Sequence, residues 1–218
     1  MRVLIINYNR LTLPLNMANW LSVRGCTPIF IDNNSDYPPL LKYYSTCPYK
    51  VVRMNKNYGH RVVWEQNILD ALRINTEYIV TDPDLDLSGI PDDFLRILIE
   101  GLQKYPSVHK CGFSLEIEDV INNEEYNGGK TIREWEDIFW KYPLDKMYFD
   151  AQIDTTFALY RRGIRRYSYS AIRTNRPYTA RHVPWYYDDM GELPEDEQYY
   201  FKTANESATF KKLNVFKK

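Results

Sequence analysis

The sequence is poor in the features that mark a disulfide scaffold, a membrane span or a nucleic-acid binder. Its 218 residues include 3 cysteines. These are Cys26, Cys47 and Cys111, odd in number and widely spaced, with no C-x-x-C pair. Disulfides and a thiolate zinc site are not expected, and a reducing compartment is. Net charge is −1, from 28 basic and 29 acidic residues, so no global field asks for nucleic acid. No apolar run approaches the roughly 18–20 residues of a membrane span. The opening "MRVLIINYNR" has a short apolar run, Val3 to Ile6, before Asn7, too short for a signal-peptide core. A soluble, cytoplasmic protein is expected, with no membrane span and no nucleic-acid partner. Glycine is also scarce, and "NYNRLTLPL" contains none, which excludes a glycine-rich phosphate loop after the first apolar run.

Aromatic residues, in contrast, are abundant at 15%, with 19 tyrosines. They suit either a tyrosine-rich core or a cleft lined with flat amphipathic rings for polar ligands such as sugars. Short β-branched runs alternate with helical patterns. "RVLIINYN", "TPIFIDNNS", "KVVRMNKN" and "EYIVTD" read as four strands. "TLPLNMANWLSV" and "GHRVVWEQNILDALRI" read as helices between them, with Gly25 just past the first. Strand–helix–strand alternation at about 20–27 residues per unit implies right-handed crossovers and a parallel sheet buried on both faces. Beyond Pro91 the expected order is a helix in "PDDFLRILIEGLQKY", a strand in "KCGFSLEIED", a helix in "TIREWEDIFWKY", a strand in "AQIDTTFALYRR" and a helix in "PEDEQYYFKTAN". The stretch from Gly163 to Gly191 reads as irregular. One domain over 1–218 is expected, with a nucleotide-type half (1–90) and a more varied half (91–218).

In an open parallel sheet, ligands bind beyond the carboxyl ends of the strands. All four ends are polar here: Asn7, Tyr8 and Asn9; Asp32 and Asn33; Asn55 and Asn57; Asp82 and Asp84. Asp32 suits ribose hydroxyls, and Gly59 before a helix start suits phosphate. "TDPDLD" places aspartates at 82, 84 and 86, which repel one another without a cation among them. Asp-x-Asp at a strand end offers hard oxygens to Mg²⁺ or Mn²⁺, which can bridge phosphates as charge leaves. A plain acidic turn competes with this reading. An EF-hand loop requires Gly at its sixth position and Glu at its twelfth, where Leu87 and Asp93 stand. An aspartyl-phosphate phosphatase places its aspartates after the first strand, not the fourth.

The ordered set "INYNR", "FIDNNS", "NYGHRVVWEQN" and "YIVTDPD" resembles the GT-A glycosyltransferases, especially their family 2-like members. "KCGFSLEIED", "WEDIFW", "IDTTFALYRR" and "YTARHVPWY" resemble a group of small bacterial and viral members, including the front domains of multidomain enzymes. The resemblance implies a GT-A (nucleotide-diphospho-sugar transferase) fold, α/β, with a mostly parallel central sheet and helices on both faces. It implies a metal-dependent transfer of sugar from a nucleoside diphosphate, UDP by preference, to a glycan hydroxyl. Mn²⁺ or Mg²⁺ would be the cofactor, and other domains of a larger glycosyltransferase would be candidate partners. Asn7, Tyr8, Asp32, Asn57 and Arg61 take the place of uridine and ribose contacts. Asp82 would face ribose or metal, Asp84 would be the main metal carboxylate, and His182 would complete the metal site. Asp86 has no counterpart.

An inverting transferase also needs a carboxylate base near the acceptor hydroxyl. Asp154 is the first choice, as a charge in an otherwise apolar strand. Glu195 and Asp196 are the alternatives, and capping of the last helix competes for them. Trp135, Trp140, Trp185 and Tyr186 could pack against sugars or against the core. The different-class reading is a nucleotide-sugar-binding domain without turnover, and a sugar-nucleotide nucleotidyltransferase is disfavoured by the missing glycines after the first strand.

Overall fold

The computed structural model describes residues 1–121, 125–126, 128–187, 193–205 and 208. The first half runs β1 (Arg2–Asn7), α1 (Thr12–Ser22), β2 (Thr27–Asp32), α2 (Pro38–Tyr44), β3 (Lys50–Arg53), α3 (Val62–Glu65), α4 (Ile68–Ala71) and β4 (Tyr78–Thr81). Then follow β5 (Leu85–Asp86), α5 (Phe94–Lys104), β6 (Lys110–Leu115), α6 (Ile132–Glu136) with a 3-10 turn, β7 (Tyr148–Asp150), β8 (Ala158–Tyr160), β9 (Ala171–His182), a second 3-10 turn (Val183–Tyr186) and α7 (Glu195–Thr203). Among these residues no helix is long and apolar enough to cross a membrane.

The strands form one sheet in the order β3-β2-β1-β4-β8-β6-β9-β5, with β7 paired to β9. β1 to β4 pair in parallel, as the apolar runs require. The sheet then changes character. β8 is antiparallel to both β4 and β6, β9 is parallel to β6, and β5 and β7 are antiparallel to β9. Parallel pairing therefore dominates only the first half, and the sheet as a whole is mixed. Alternation along β1 sends Val3 and Ile5 to one buried face, with Phe30, Phe94 and Phe113, and Leu4 and Ile6 to the other, with Val62, Val63 and Ile68. Both faces are covered, so nearly all side chains of β1, β2 and β4 are hidden, whereas β3 at the sheet edge is partly exposed.

Three expectations change. "GHRVVWEQNILDALRI" is two short helices, because Asn67 takes a left-handed conformation (φ 51°) between α3 and α4. The residues from Ala171 form a 12-residue strand where irregular chain was expected; the end of that stretch, 188–191, lies outside the described residues. Finally, "AQIDTTFALYRR" is a strand only over Ala158–Tyr160, and Asp154 lies in the turn that precedes it.

Candidate functional site

A cavity of about 380 Å³ opens at the carboxyl ends of β1 and β4. Of the residues singled out in the sequence, Asn7, Tyr8, Asn57, Asp82, Asp84, Asp154 and His182 line it, together with Asn33, Gly59 and His60. Arg10 and Tyr200, which the sequence did not single out, line it too.

Local bonding explains why these groups meet. After β1 the chain turns sharply at Asn9, which is fully buried with φ 53°. A short polar side chain tolerates that conformation, and here it is also pinned. Asn9 Nδ2 donates to Asp36 Oδ1 (2.8 Å), and its Oδ1 accepts from the Asp36 and Tyr37 amides (2.8 and 3.1 Å). The turn swings Arg10 beneath the aspartate loop. Arg10 is 2% exposed, and its guanidinium donates to Asp84 Oδ2. It also pairs with Glu197 of α7 at 3.1 Å and lies 3.9 Å from the centre of the Tyr200 ring. Arg10 is the cation that the clustered aspartates require.

The aspartate loop is clamped on both flanks. On one side Leu85 pairs with His182 across β5 and β9, and the Val183 amide donates to the Asp84 carbonyl at 2.9 Å. That pairing brings His182 Nε2 to 3.4 Å from Asp84 Oδ2. On the other side the Asp82 amide donates to the Thr155 carbonyl (3.0 Å), and the Thr155 hydroxyl donates to Asp82 Oδ2 (3.0 Å). Asp86 Oδ1 accepts from the Ser88 amide at 2.8 Å and shapes the turn that follows.

The three cavity carboxylates differ electrostatically. Burial alone would raise Asp84, but Arg10 first and then His182 outweigh it and hold the carboxyl well below the usual range. Asp82 is pushed well above that range, by burial first and then by Asp154 and Asp84. Asp154 is also held low. Burial opposes this, but the Thr156 amide, Arg173, the Thr156 hydroxyl and the Thr155 amide prevail. Its Oδ1 alone accepts three bonds, at 2.7, 3.2 and 3.0 Å. Such a self-capped turn wins over the strand preference of Thr155 and Thr156.

Several expected residues serve elsewhere. Asp32 is fully buried beside Ser35 and Arg53 and does not line the cavity. Arg61 is exposed and stacks on Tyr167, 4.6 Å from the ring centre. Asp196 caps α1 from across the fold, accepting from the Leu11 and Thr12 amides, both at 2.7 Å, and from the Thr12 hydroxyl at 2.9 Å. Glu195 is exposed at the start of α7. Trp185 is buried against His182, with ring centres 4.8 Å apart. Trp135 packs against the core, Trp140 lies under Arg176, and the Tyr186 hydroxyl donates to Asp119.

A divalent cation can be tested against this donor set. Among the described residues, Asp84 Oδ1 and His182 Nδ1 are buried with no hydrogen-bond partner, and no group of three or more His, Cys, Asp and Glu side chains gathers to hold a metal. One orphaned carboxylate oxygen beside an imidazole fits Mg²⁺ or Mn²⁺ in the mode where one or two protein ligands share the ion with substrate phosphates and water.

No family model matches the chain, and no curated protein does. Among solved structures it is similar to the mannosyltransferase PcManGT from Pyrobaculum calidifontis, in complex with GDP-Man and Mn²⁺, at 14% identity and a TM-score of 0.47. The match covers 73% of this chain and 44% of that one, so the chain spans less than half of that enzyme's length. A likeness of this degree leaves the chemistry to be read from the site itself.

Proposed function

We propose that the protein transfers a glycosyl group from a nucleoside diphosphate sugar to a hydroxyl of a glycan acceptor. The observation that carries this reading is the convergence of Asp82, Asp84, His182 and Asp154 on one polar cavity at the carboxyl ends of parallel strands. Asn7 supports the nucleoside end. Its Oδ1 is buried without a hydrogen-bond partner among the described residues, and its Nδ2 is held by the Arg10 carbonyl (2.8 Å) and the Tyr44 hydroxyl (2.9 Å). That geometry leaves a fixed acceptor for an N–H of a base. With Asp32 and Arg61 outside the cavity, the nucleoside contacts reduce to Asn7, Tyr8, Asn33 and Asn57. The reading therefore stops at a nucleoside diphosphate and does not choose uridine over guanosine.

Asp84 and His182 would hold Mn²⁺ or Mg²⁺, which when bound neutralises charge on the departing diphosphate. Arg10 keeps Asp84 ionised and fixes one of its oxygens, so that the other is presented in a single orientation. Asp154, ionised at neutral pH, accepts the proton of the attacking hydroxyl. Its three bonds all fall on Oδ1, and the side chain is exposed to the cavity. The low pKa guarantees the basic form but lowers its basicity, a compromise that suits a hydroxyl already losing its proton in the transition state.

Calorimetry with UDP and with GDP, each with Mn²⁺ and with EDTA, tests the site, and hydrolysis of UDP-glucose and GDP-mannose tests turnover. Metal-dependent binding of one nucleotide together with donor cleavage is expected. Failure of both nucleotides to bind under either condition overturns the reading. Tight binding without any cleavage points instead to a nucleotide-sugar-binding domain.

A further inference from the structure

Lys110, the first residue of β6, is 0% exposed. Its Nζ donates to the main-chain oxygen of Asp154 at 2.6 Å and to the Tyr160 hydroxyl at 2.9 Å. It lies 4.9 Å from the centre of the Tyr160 ring and 5.5 Å from that of Tyr167. Burying an ammonium is costly, and an apolar side chain of similar volume is commonly the more stable choice. A methionine at this position would fill the same space between strand and rings. It could not hold the Asp154 carbonyl.

The turn needs that support. Asp154 Oδ1 satisfies the amides of Thr155 and Thr156 from within. Thr155 is tied to Asp82, and Arg173 holds the carbonyl of Gln152 at 2.8 Å. Lys110 completes the set from beneath, on the residue that presents its carboxylate to the cavity. We propose that Lys110 is a positioning residue, which fixes the Asp154 turn through a charge-assisted hydrogen bond and weakens the reaction when its ammonium loses a proton. This rests on the reading of Asp154 as the proton acceptor.

Five charged or titratable groups, from five segments of the chain, face this ammonium. Asp154 and Asp82 favour its charge, Arg173 of β9 opposes it, and Tyr160 of β8 and Tyr167 beyond it supply ring faces. Burial is the strongest influence and pushes Lys110 down to about 7, so the ammonium and the amine exchange within the ordinary working range. The neutral amine still reaches the Asp154 carbonyl, but a charge-assisted bond is about twice as strong as a neutral one. The grip is therefore full below this pKa and relaxes as pH rises through it.

The experiment compares wild type, Lys110→Arg and Lys110→Met. Hydrolysis of UDP-glucose and GDP-mannose is followed from acid to alkaline pH, UDP and GDP affinities are measured by calorimetry, and the Lys110 Cε and the Thr155 and Thr156 amides are titrated by NMR. Wild type should show a falling limb centred near 7, with the two amides moving at the same midpoint. Arginine keeps its charge throughout, so Lys110→Arg should retain the neutral-pH rate and lose the limb. Lys110→Met should be about ten- to a hundredfold slower and flat, in line with a slightly misplaced reacting group, with nucleotide affinity unchanged. The proposal is overturned if the limb persists in either variant, or if Cε titrates at the ordinary lysine value, or if the two amides ignore Lys110. If no nucleotide binds and no donor is cleaved, glycosyl transfer falls, while the amide titration still decides whether Lys110 holds the turn.

Discussion

Asp84 and Asp154 line the same cavity and both stay ionised, yet the fold achieves this in two ways. Asp84 is paired with a buried cation delivered from another part of the chain. Asp154 is stabilised mainly by amides and a hydroxyl of its own turn, with Arg173 adding charge from β9. A carboxylate held by a cation depends on one side chain and fails when that side chain is removed. A carboxylate held by backbone dipoles depends on the path of the chain and fails only when the turn moves. On the proposed function, the first arrangement suits a group that shares its charge with a diphosphate and a metal, and the second suits a group that keeps its position while taking up and releasing a proton.

The sharpest way to break this comparison is Asp154→Asn. The amide keeps an oxygen for the Thr155 and Thr156 bonds, so the turn should stand and nucleotide affinity should hold. Turnover of donor should fall by about 10²- to 10⁴-fold, the usual contribution of a general base. Rapid-quench kinetics beside calorimetry will separate the two quantities, and unchanged turnover would remove Asp154 from the chemistry.

Arg10→Met attacks the other carboxylate. It leaves Asp84 and Glu197 buried without their guanidinium, and urea unfolding should show a loss of about 3–5 kcal/mol. The pH dependence should change as well. Asp84 has a depressed folded-state pKa, so its contribution to stability is present above the ordinary carboxylate value of 3.8 and is lost as pH falls below it. Without Arg10 burial raises Asp84 instead, so the deficit relative to wild type should be largest near neutral pH and shrink as pH falls.

Much of this arrangement was legible in the sequence, and the parts that were not share a cause. β1 to β4 stood out as short apolar runs, of which β1, β2 and β4 are buried on both faces, and the polar residues after the runs mark the rim. That placed Asn7, Tyr8, Asn57, Asp82 and Asp84 on the cavity wall. β9 escaped notice because Pro177 interrupts it, and the β6–β9 register shifts there, between Phe113 and Ser114. Asp32 and Asp196 looked available because a sequence does not show which carboxylates are consumed by Ser35 and Arg53 or by the α1 amides. Arg10, Glu197 and Lys110 were passed over because a charge is judged by its partner, and each partner lies far along the chain. A usable signal did exist: three aspartates at one strand end need a cation, and Arg10 is the arginine at the end of the neighbouring strand.

Asp82→Asn sharpens the comparison from a third side. Asp82 has a raised folded-state pKa, so the native state holds its proton more tightly than the unfolded chain, and stability declines as pH rises from 3.8 through that raised value. The variant should lose this decline and be more stable than wild type at neutral pH, by less than Arg10→Met loses, as read from urea midpoints at two pH values. Smallest of all should be Asp196→Ala. It removes the cap from α1 and should lower stability by about 1 kcal/mol with turnover unchanged. A collapse of turnover would return Asp196 to the chemistry.

The bonds that join α7 to the start of α1 span 185 and 184 residues, and Arg10 meets Glu197 over a similar interval. Contacts so distant in sequence form late, because the chain between them must first be ordered. During synthesis the first four strands leave the ribosome with most of the cavity wall, but Arg10 then faces an aspartate loop with no α7 to close over it. A nascent chain arrested before residue 197 should therefore display a sheet with an open charged rim, and nucleotide capture should appear only once α7 has emerged. Completion of the cavity is therefore tied to the synthesis of α7, long after the first strand has left the ribosome.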